Sequence, residues 1–191
     1  MSSAKYRKVV VLGLGGVGKT SLILQFIKGE FIHDYHTSED KYFTKIFSMD
    51  RAEYELCVVD TSSQAEFSFI PPSYLSGVDG YIIVYSVDSL RSFHIASGLH
   101  RKLEAKTGKL RMPVVLVGNK KDNPPDRHAI SPDEGRAMAD MWDAPFMEVS
   151  AKDLEESQKV FFKIIEEIDG LNGPCLYHKP QNLKKKNCCI S

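Results

Sequence analysis

Cysteine is scarce: Cys57, Cys175, Cys188 and Cys189 are the only four in 191 residues. Their spacings match neither a zinc site nor a disulfide framework, which points to the reducing cytoplasm. An excess of either charge is missing too, with 25 basic against 25 acidic residues. That argues against bulk nucleic-acid binding, which calls for a marked basic surplus. No apolar run approaches the ~18 residues of a membrane-spanning helix. The polar stretch from Met1 to Lys8 lacks the apolar core of a signal peptide. The six histidines are scattered and read as ordinary surface or core residues. Acidic residues are absent after Asp169, whereas Lys179, Lys184, Lys185 and Lys186 all follow it. The end of the chain is therefore a local basic segment.

What is present suits one domain with a tail: 42% of the residues are hydrophobic, enough for a substantial core. Lys8 to Leu12 is a short β-branched run that ends at Gly13, as a buried parallel strand does. A helix is expected from Thr20 to Lys28, closed by Gly29. Tyr42–Met49 and Glu53–Val59 read as a hairpin around Asp50-Arg51. Gly80–Ser86, Pro113–Gly118 and Phe146–Val149 are further strands, and helices fill the gaps between them. Ser131-Pro132-Asp133-Glu134 carries the marks of a helix start. Val160, Phe161, Ile164, Ile165 and Ile168 line one helical face. From Gly170 onward periodicity is lost and a flexible tail is expected; the domain is placed at residues 1–172 and the tail at 173–191. Alternating strands and helices imply an α/β fold, a six-stranded sheet that is mostly parallel with one antiparallel strand and has helices on both faces.

Every chemical motif follows a strand, which is where such sheets bind ligands. Gly13-Leu14-Gly15-Gly16-Val17-Gly18-Lys19-Thr20 fits G-x-x-x-x-G-K-[ST]. Its glycines let the backbone curl so that N–H groups face phosphate oxygens, and the helix N-terminus adds partial positive charge. Gly16, Val17, Gly18, Lys19, Thr20 and Ser21 are the expected phosphate contacts, with Lys19 on the outer phosphates and the Thr20 hydroxyl on Mg²⁺. A glycine-rich turn that merely contains Lys-Thr is the bland alternative, and the strand-to-helix context argues against it. Asn119, Lys120 and Asp122 follow the strand PVVLVG. An aspartate here accepts two hydrogen bonds from the guanine edge that adenine does not offer, a difference worth about 10⁴ in selection. Lys120 is expected along the base plane, and Ser150, Ala151 and Lys152 are expected to present a backbone N–H to the guanine oxygen.

With these motifs in order, the chain resembles the Ras superfamily of P-loop small GTPases over roughly residues 5–172, and within it the Rheb subfamily most. The stretches that carry this are Lys5 to Gly13, Phe43-Thr44-Lys45-Ile46, Gly80 to Val87 and Pro113 to Lys120. The resemblance implies a Ras-like G domain that binds GTP or GDP with Mg²⁺ and hydrolyses GTP. It implies catalytic roles for Gln64, Tyr35 and Lys19, nucleotide contacts from Tyr35, Ser38 and Ser63, and a second metal ligand in Ser38 beside Thr20. It also implies that Asp60 partners the ion from behind. Two departures stand out. Thr37-Ser38 replaces a family Pro-Thr pair, and Asp60-Thr61-Ser62-Ser63-Gln64 replaces Asp-Thr-Ala-Gly-Gln. Rheb proteins usually carry Arg-Ser where this chain has Gly15-Gly16; the pair leaves room for an arginine from a GTPase-activating protein, whereas a Rheb-type activator supplies an asparagine.

Cys188-Cys189-Ile190-Ser191 fits a C-a-a-X prenylation motif, with farnesyl on Cys188. One lipid binds a membrane only marginally, and Lys184–Lys186 would add about 1 kcal/mol each at an anionic surface. The expectation is a monomer on the cytoplasmic face of endomembranes, in part cytosolic. Its expected partners are an activating protein, an exchange factor and, by the Rheb resemblance, a TOR kinase complex. The competing readings are a GTP-binding scaffold that barely hydrolyses, motivated by Ser63 and the altered first switch, and a P-loop kinase, against which Asp122 argues.

Overall fold

The computed structural model describes residues 4–31, 40–61, 70–108 and 112–172. Its six strands are β1 (Lys5–Leu12), β2 (Lys41–Met49), β3 (Ala52–Asp60), β4 (Gly80–Ser86), β5 (Val114–Asn119) and β6 (Phe146–Val149). They form one sheet in the order β2-β3-β1-β4-β5-β6. Only β2 runs antiparallel to its neighbour. The β2–β3 turn places Asp50 at φ 48° and Arg51 at φ 67°, the left-handed pair that suits a two-residue hairpin. Four helices cover the sheet: α1 (Lys19–Lys28), α2 (Leu90–Thr107), α3 (Pro132–Met141) and α4 (Leu154–Asn172).

Alternation along β1 divides the core in two. Val9 and Val11 pack with Phe26 of α1 and Phe161, Ile164 and Ile168 of α4. Val10 and Leu12 face the other way, onto Ala96 and Leu99 of α2 and Met138 of α3. Strand β4 is buried along its whole length, as a central parallel strand covered on both faces must be. Helix α3 starts at the expected capping box, with the Ser131 hydroxyl accepting from the Glu134 N–H while the Glu134 carboxylate accepts from the Ser131 N–H.

Two boundaries differ from the sequence expectation by more than one residue. Strand β1 begins at Lys5 rather than Lys8 because β3 supplies partners from Tyr54 onward. Helix α4 does not give way at Gly170 but runs on to Asn172. Its last turn is held by Asp169, whose carboxylate accepts from Lys5 (2.8 Å), Arg7 (2.7 Å) and Tyr54 (2.8 Å). Those bonds offset the ~1 kcal/mol that a glycine inside a helix costs. Among the described residues no helix is long and apolar enough to cross a membrane.

Candidate functional site

The segments after β1, β3, β5 and β6 converge at the carboxyl edge of the sheet. The first is residues 13–19. Gly13 lies so close to β4 that a Cβ on it would sit 2.2 Å from the Val84 carbonyl oxygen. Gly18, at φ 95°, would place a Cβ 2.3 Å from Asn119 Nδ2. Gly13 and Gly18 are thus required both by backbone conformation and by contact, and Gly16, at φ 79°, by conformation alone. Gly18 caps α1 with no side-chain hydrogen bond, so the first N–H groups of the helix face the loop. Lys19 is buried and arches back over the loop, donating to the carbonyls of Gly13 (2.9 Å) and Leu14 (3.1 Å). This keeps its ammonium group beside the curled amides.

Beside it, the Thr20 hydroxyl donates to Asp60 Oδ2 at 2.6 Å. Asp60 is 1% exposed, and its other oxygen, Oδ1, has no hydrogen-bond partner among the described residues. Burial pushes this carboxyl above its usual range, against the Thr20 bond and the Lys19 charge. A buried acceptor with spare capacity next to a hydroxyl is a hard-oxygen donor set that fits Mg²⁺. Among the described residues no group of three or more His, Cys, Asp or Glu side chains could hold a metal ion. An ion here would therefore need ligands beyond these described carboxylates.

Next to the loop is a cleft of about 210 Å³ lined by Gly16, Gly18, Ser21, Phe31, Asn119, Lys120, Asp122, Asn123, Ser150, Ala151 and Lys152. Asp122 accepts from the Ser150 hydroxyl and from the Lys152 ammonium, each at 2.7 Å. Burial pulls the Asp122 carboxyl upward, but these two donors outweigh it and hold it below the usual carboxylate range. It is thus an ionised acceptor at neutral pH, and each oxygen has lone-pair capacity for a further donor. Lys152 Nζ also lies 5.9 Å from the Phe31 ring centroid, within cation–π range.

The structure brings Gly16 to Ser21, Asn119, Lys120, Asp122 and Ser150 to Lys152 into one region, and it refines two expected roles. Asn119 uses both ends of its amide on the protein: Nδ2 donates to the Val17 carbonyl (2.7 Å), and Oδ1 accepts from the Ala151 N–H (2.9 Å). It ties the phosphate loop to the last base-reading loop and retains one N–H for a ligand. The expected backbone donors of that loop are also engaged, Ser150 N–H with Glu156, Ala151 N–H with Asn119 and Lys152 N–H with the Ser150 hydroxyl. A ligand oxygen here would have to share one of these hydrogens.

Sequence reasoning missed Phe31, Gln25 and Glu156. Gln25 is 6% exposed and donates from Nε2 to the Lys152 carbonyl at 3.2 Å. A polar residue on the buried face of an otherwise apolar helix was the available signal. For Phe31 the signal is an aromatic three residues after α1. Tyr35, Thr37, Ser38, Ser63 and Gln64, together with Lys184–Lys186 and Cys188, lie outside the described residues.

Residues 8–170 match the model of the Ras family. The mouse protein named GTPase RhebL1 is 46% identical over 168 residues, 88% of this chain and 91% of that relative. The human GTP-binding protein Rheb is 42% identical over 173 residues, 91% of this chain and 94% of its own. The Drosophila melanogaster Rheb homolog is 36% identical over 187 residues, 98% of both chains.

Proposed function

The chain belongs to the Ras family, and within it to the Rheb subfamily, and from that premise we propose that it is a membrane-tethered GTPase that alternates between GTP- and GDP-bound states. The observation that carries the guanine reading is the ionised Asp122 carboxylate, set by Ser150 and Lys152 in a cleft that Asn119 joins to the phosphate loop. There it takes two donors from guanine, while Lys120 and Phe31 flank the base. Lys19 and the amides of residues 16–21 hold the phosphates. Mg²⁺ would be held by Thr20 and Ser38, with Asp60 behind them, and when bound it supplies positive charge against the β- and γ-phosphates. Gln64 orients the attacking water, Tyr35 closes over the phosphates, and the Ser63 N–H meets the γ-phosphate. Water oxygen bonds to the γ-phosphorus as the bond to the β–γ bridging oxygen breaks, yielding GDP and phosphate.

Among the described residues a Cβ at Gly16 would meet nothing within 4 Å, which leaves space there for a residue inserted by an activating protein. Farnesyl on Cys188 and the Lys184–Lys186 cluster tether the chain to an anionic endomembrane surface, with a cytosolic fraction in exchange. In the GTP state the effector is a TOR-type kinase complex, and an exchange factor reloads the monomer.

The test is uptake of GDP and GTP by the full-length protein in magnesium buffer, followed by single-turnover GTP cleavage with and without activating-protein extract. Phosphate release above the buffer rate, raised by the extract, is expected. Failure to take up either nucleotide would overturn the reading. Uptake with no cleavage would favour the scaffold reading that Ser63 motivates. In parallel, C188S should move the protein from the membrane pellet to the soluble fraction.

A further inference from the structure

Glu156, in the first turn of α4, touches both base-reading loops and would touch no nucleotide. Its Oε2 accepts the Ser150 N–H at 2.8 Å, and its Oε1 pairs with the Lys121 ammonium. Lys121 is the chain neighbour of Asp122, and Ser150 is the residue whose hydroxyl donates to Asp122. The carboxylate thus closes a ring that runs Lys121, Asp122, Ser150, Glu156. Glu156 is itself held: its N–H donates to Asp153 Oδ1 at 3.0 Å, and the Asp153 N–H donates to the Ser150 carbonyl at 2.9 Å. A carboxylate in the first turn of a helix is also favoured by the helix dipole. A second backbone bond, Lys121 N–H to the Val149 carbonyl at 3.1 Å, runs between the same loops.

We propose that Glu156 is a positioning residue for guanine recognition, fixing Asp122 by gripping the residues on both sides of it. The proposal rests on the guanine-site reading above. The physical reason is geometric. Asp122 selects guanine only while both oxygens aim at two donors on one base edge, and a loop free to shift loses the pair before it loses a single bond.

Stopped-flow release of GDP and of inosine diphosphate, which lacks the 2-amino donor, tests this on the full-length protein. E156A should speed GDP release about tenfold and inosine diphosphate release clearly less, so that the preference for guanine narrows. E156Q keeps an oxygen for the Ser150 N–H but sets an amide donor against Lys121. It should speed GDP release about threefold, as should K121A, and the double variant E156Q/K121A should match either single one. GDP release from E156A within twofold of the parent would overturn the proposal. So would equal acceleration of both nucleotides, the mark of a merely loosened fold, or additive effects of E156Q and K121A. If E156A does not fold, the E156Q/K121A cycle and its nucleotide ratio decide. A parent protein that binds neither nucleotide would instead refute the guanine-site reading itself.

Discussion

At the amino ends of β1 and β3, the Asp169 carboxylate is met by Lys5, Arg7 and Tyr54, whereas at their carboxyl ends Asp60 is buried with one oxygen unpartnered among the described residues. The two carboxyls respond in opposite directions. At Asp169 burial is outweighed by the bonds from Lys5, Arg7 and Tyr54, and the carboxyl is held down to about 2. At Asp60 burial wins over Thr20 and Lys19, and the carboxyl is pushed up. One end of the sheet uses its charges to hold the fold together. The other leaves a buried acceptor oxygen unpartnered among the described residues, at a cost in stability.

Three substitutions would break or sharpen this contrast. The largest effect is expected at the ligand end. D122N should weaken GDP binding about 10³-fold or more and admit xanthine nucleotide, measured by titration calorimetry with GDP, XDP and ADP. Unchanged base preference would remove Asp122 from the site and with it the functional half of the contrast.

At the opposite end, D169N should lower stability by about 2 kcal/mol in chemical denaturation, while GDP affinity stays as in the parent. The sign with pH follows from the depressed value. The contribution of Asp169 is complete above its ordinary value of 3.8 and is lost as pH falls toward about 2. The parent should therefore lose stability across that window relative to D169N. A weaker grip on GDP in D169N would mean that the two ends are coupled.

The smallest effect is expected from D60N. The raised value means that Asp60 favours folding when protonated, and this contribution is lost as pH rises through its folded-state value. A neutral amide should therefore raise stability in EDTA at neutral pH by about 1 kcal/mol, while magnesium no longer slows GDP release. Destabilisation in EDTA would show that the Asp60 charge is already compensated.

Legibility in the sequence followed the distance over which a feature is built. The strands, the helix starts and the phosphate loop were readable because each is a contiguous pattern, such as Gly13 to Thr20 or Ser131 to Glu134. Lys5 to Arg7 did not read as strand, since what makes them strand is pairing with Tyr54 to Leu56. Nor did Gly170 read as helix, since the turn beside it is held from 162 residues away through Arg7 and Asp169. Glu156 lies on a helix whose acidic first turn reads as a solvated face, and only the arrival of Lys121 on the neighbouring loop changes its meaning.

By itself the sequence determined which groups are present at each strand end, because turn geometry and the residue types a phosphate or a purine requires are local matters. Only the tertiary structure decided how those groups divide their bonds: that Asn119 ties Val17 to Ala151, that Lys152 and Ser150 hold Asp122, and that Asp60 has one oxygen unpartnered among the described residues. The reason is that a hydrogen bond forms over about 3 Å. The parallel sheet, not the order of the chain, sets which strand ends come that close.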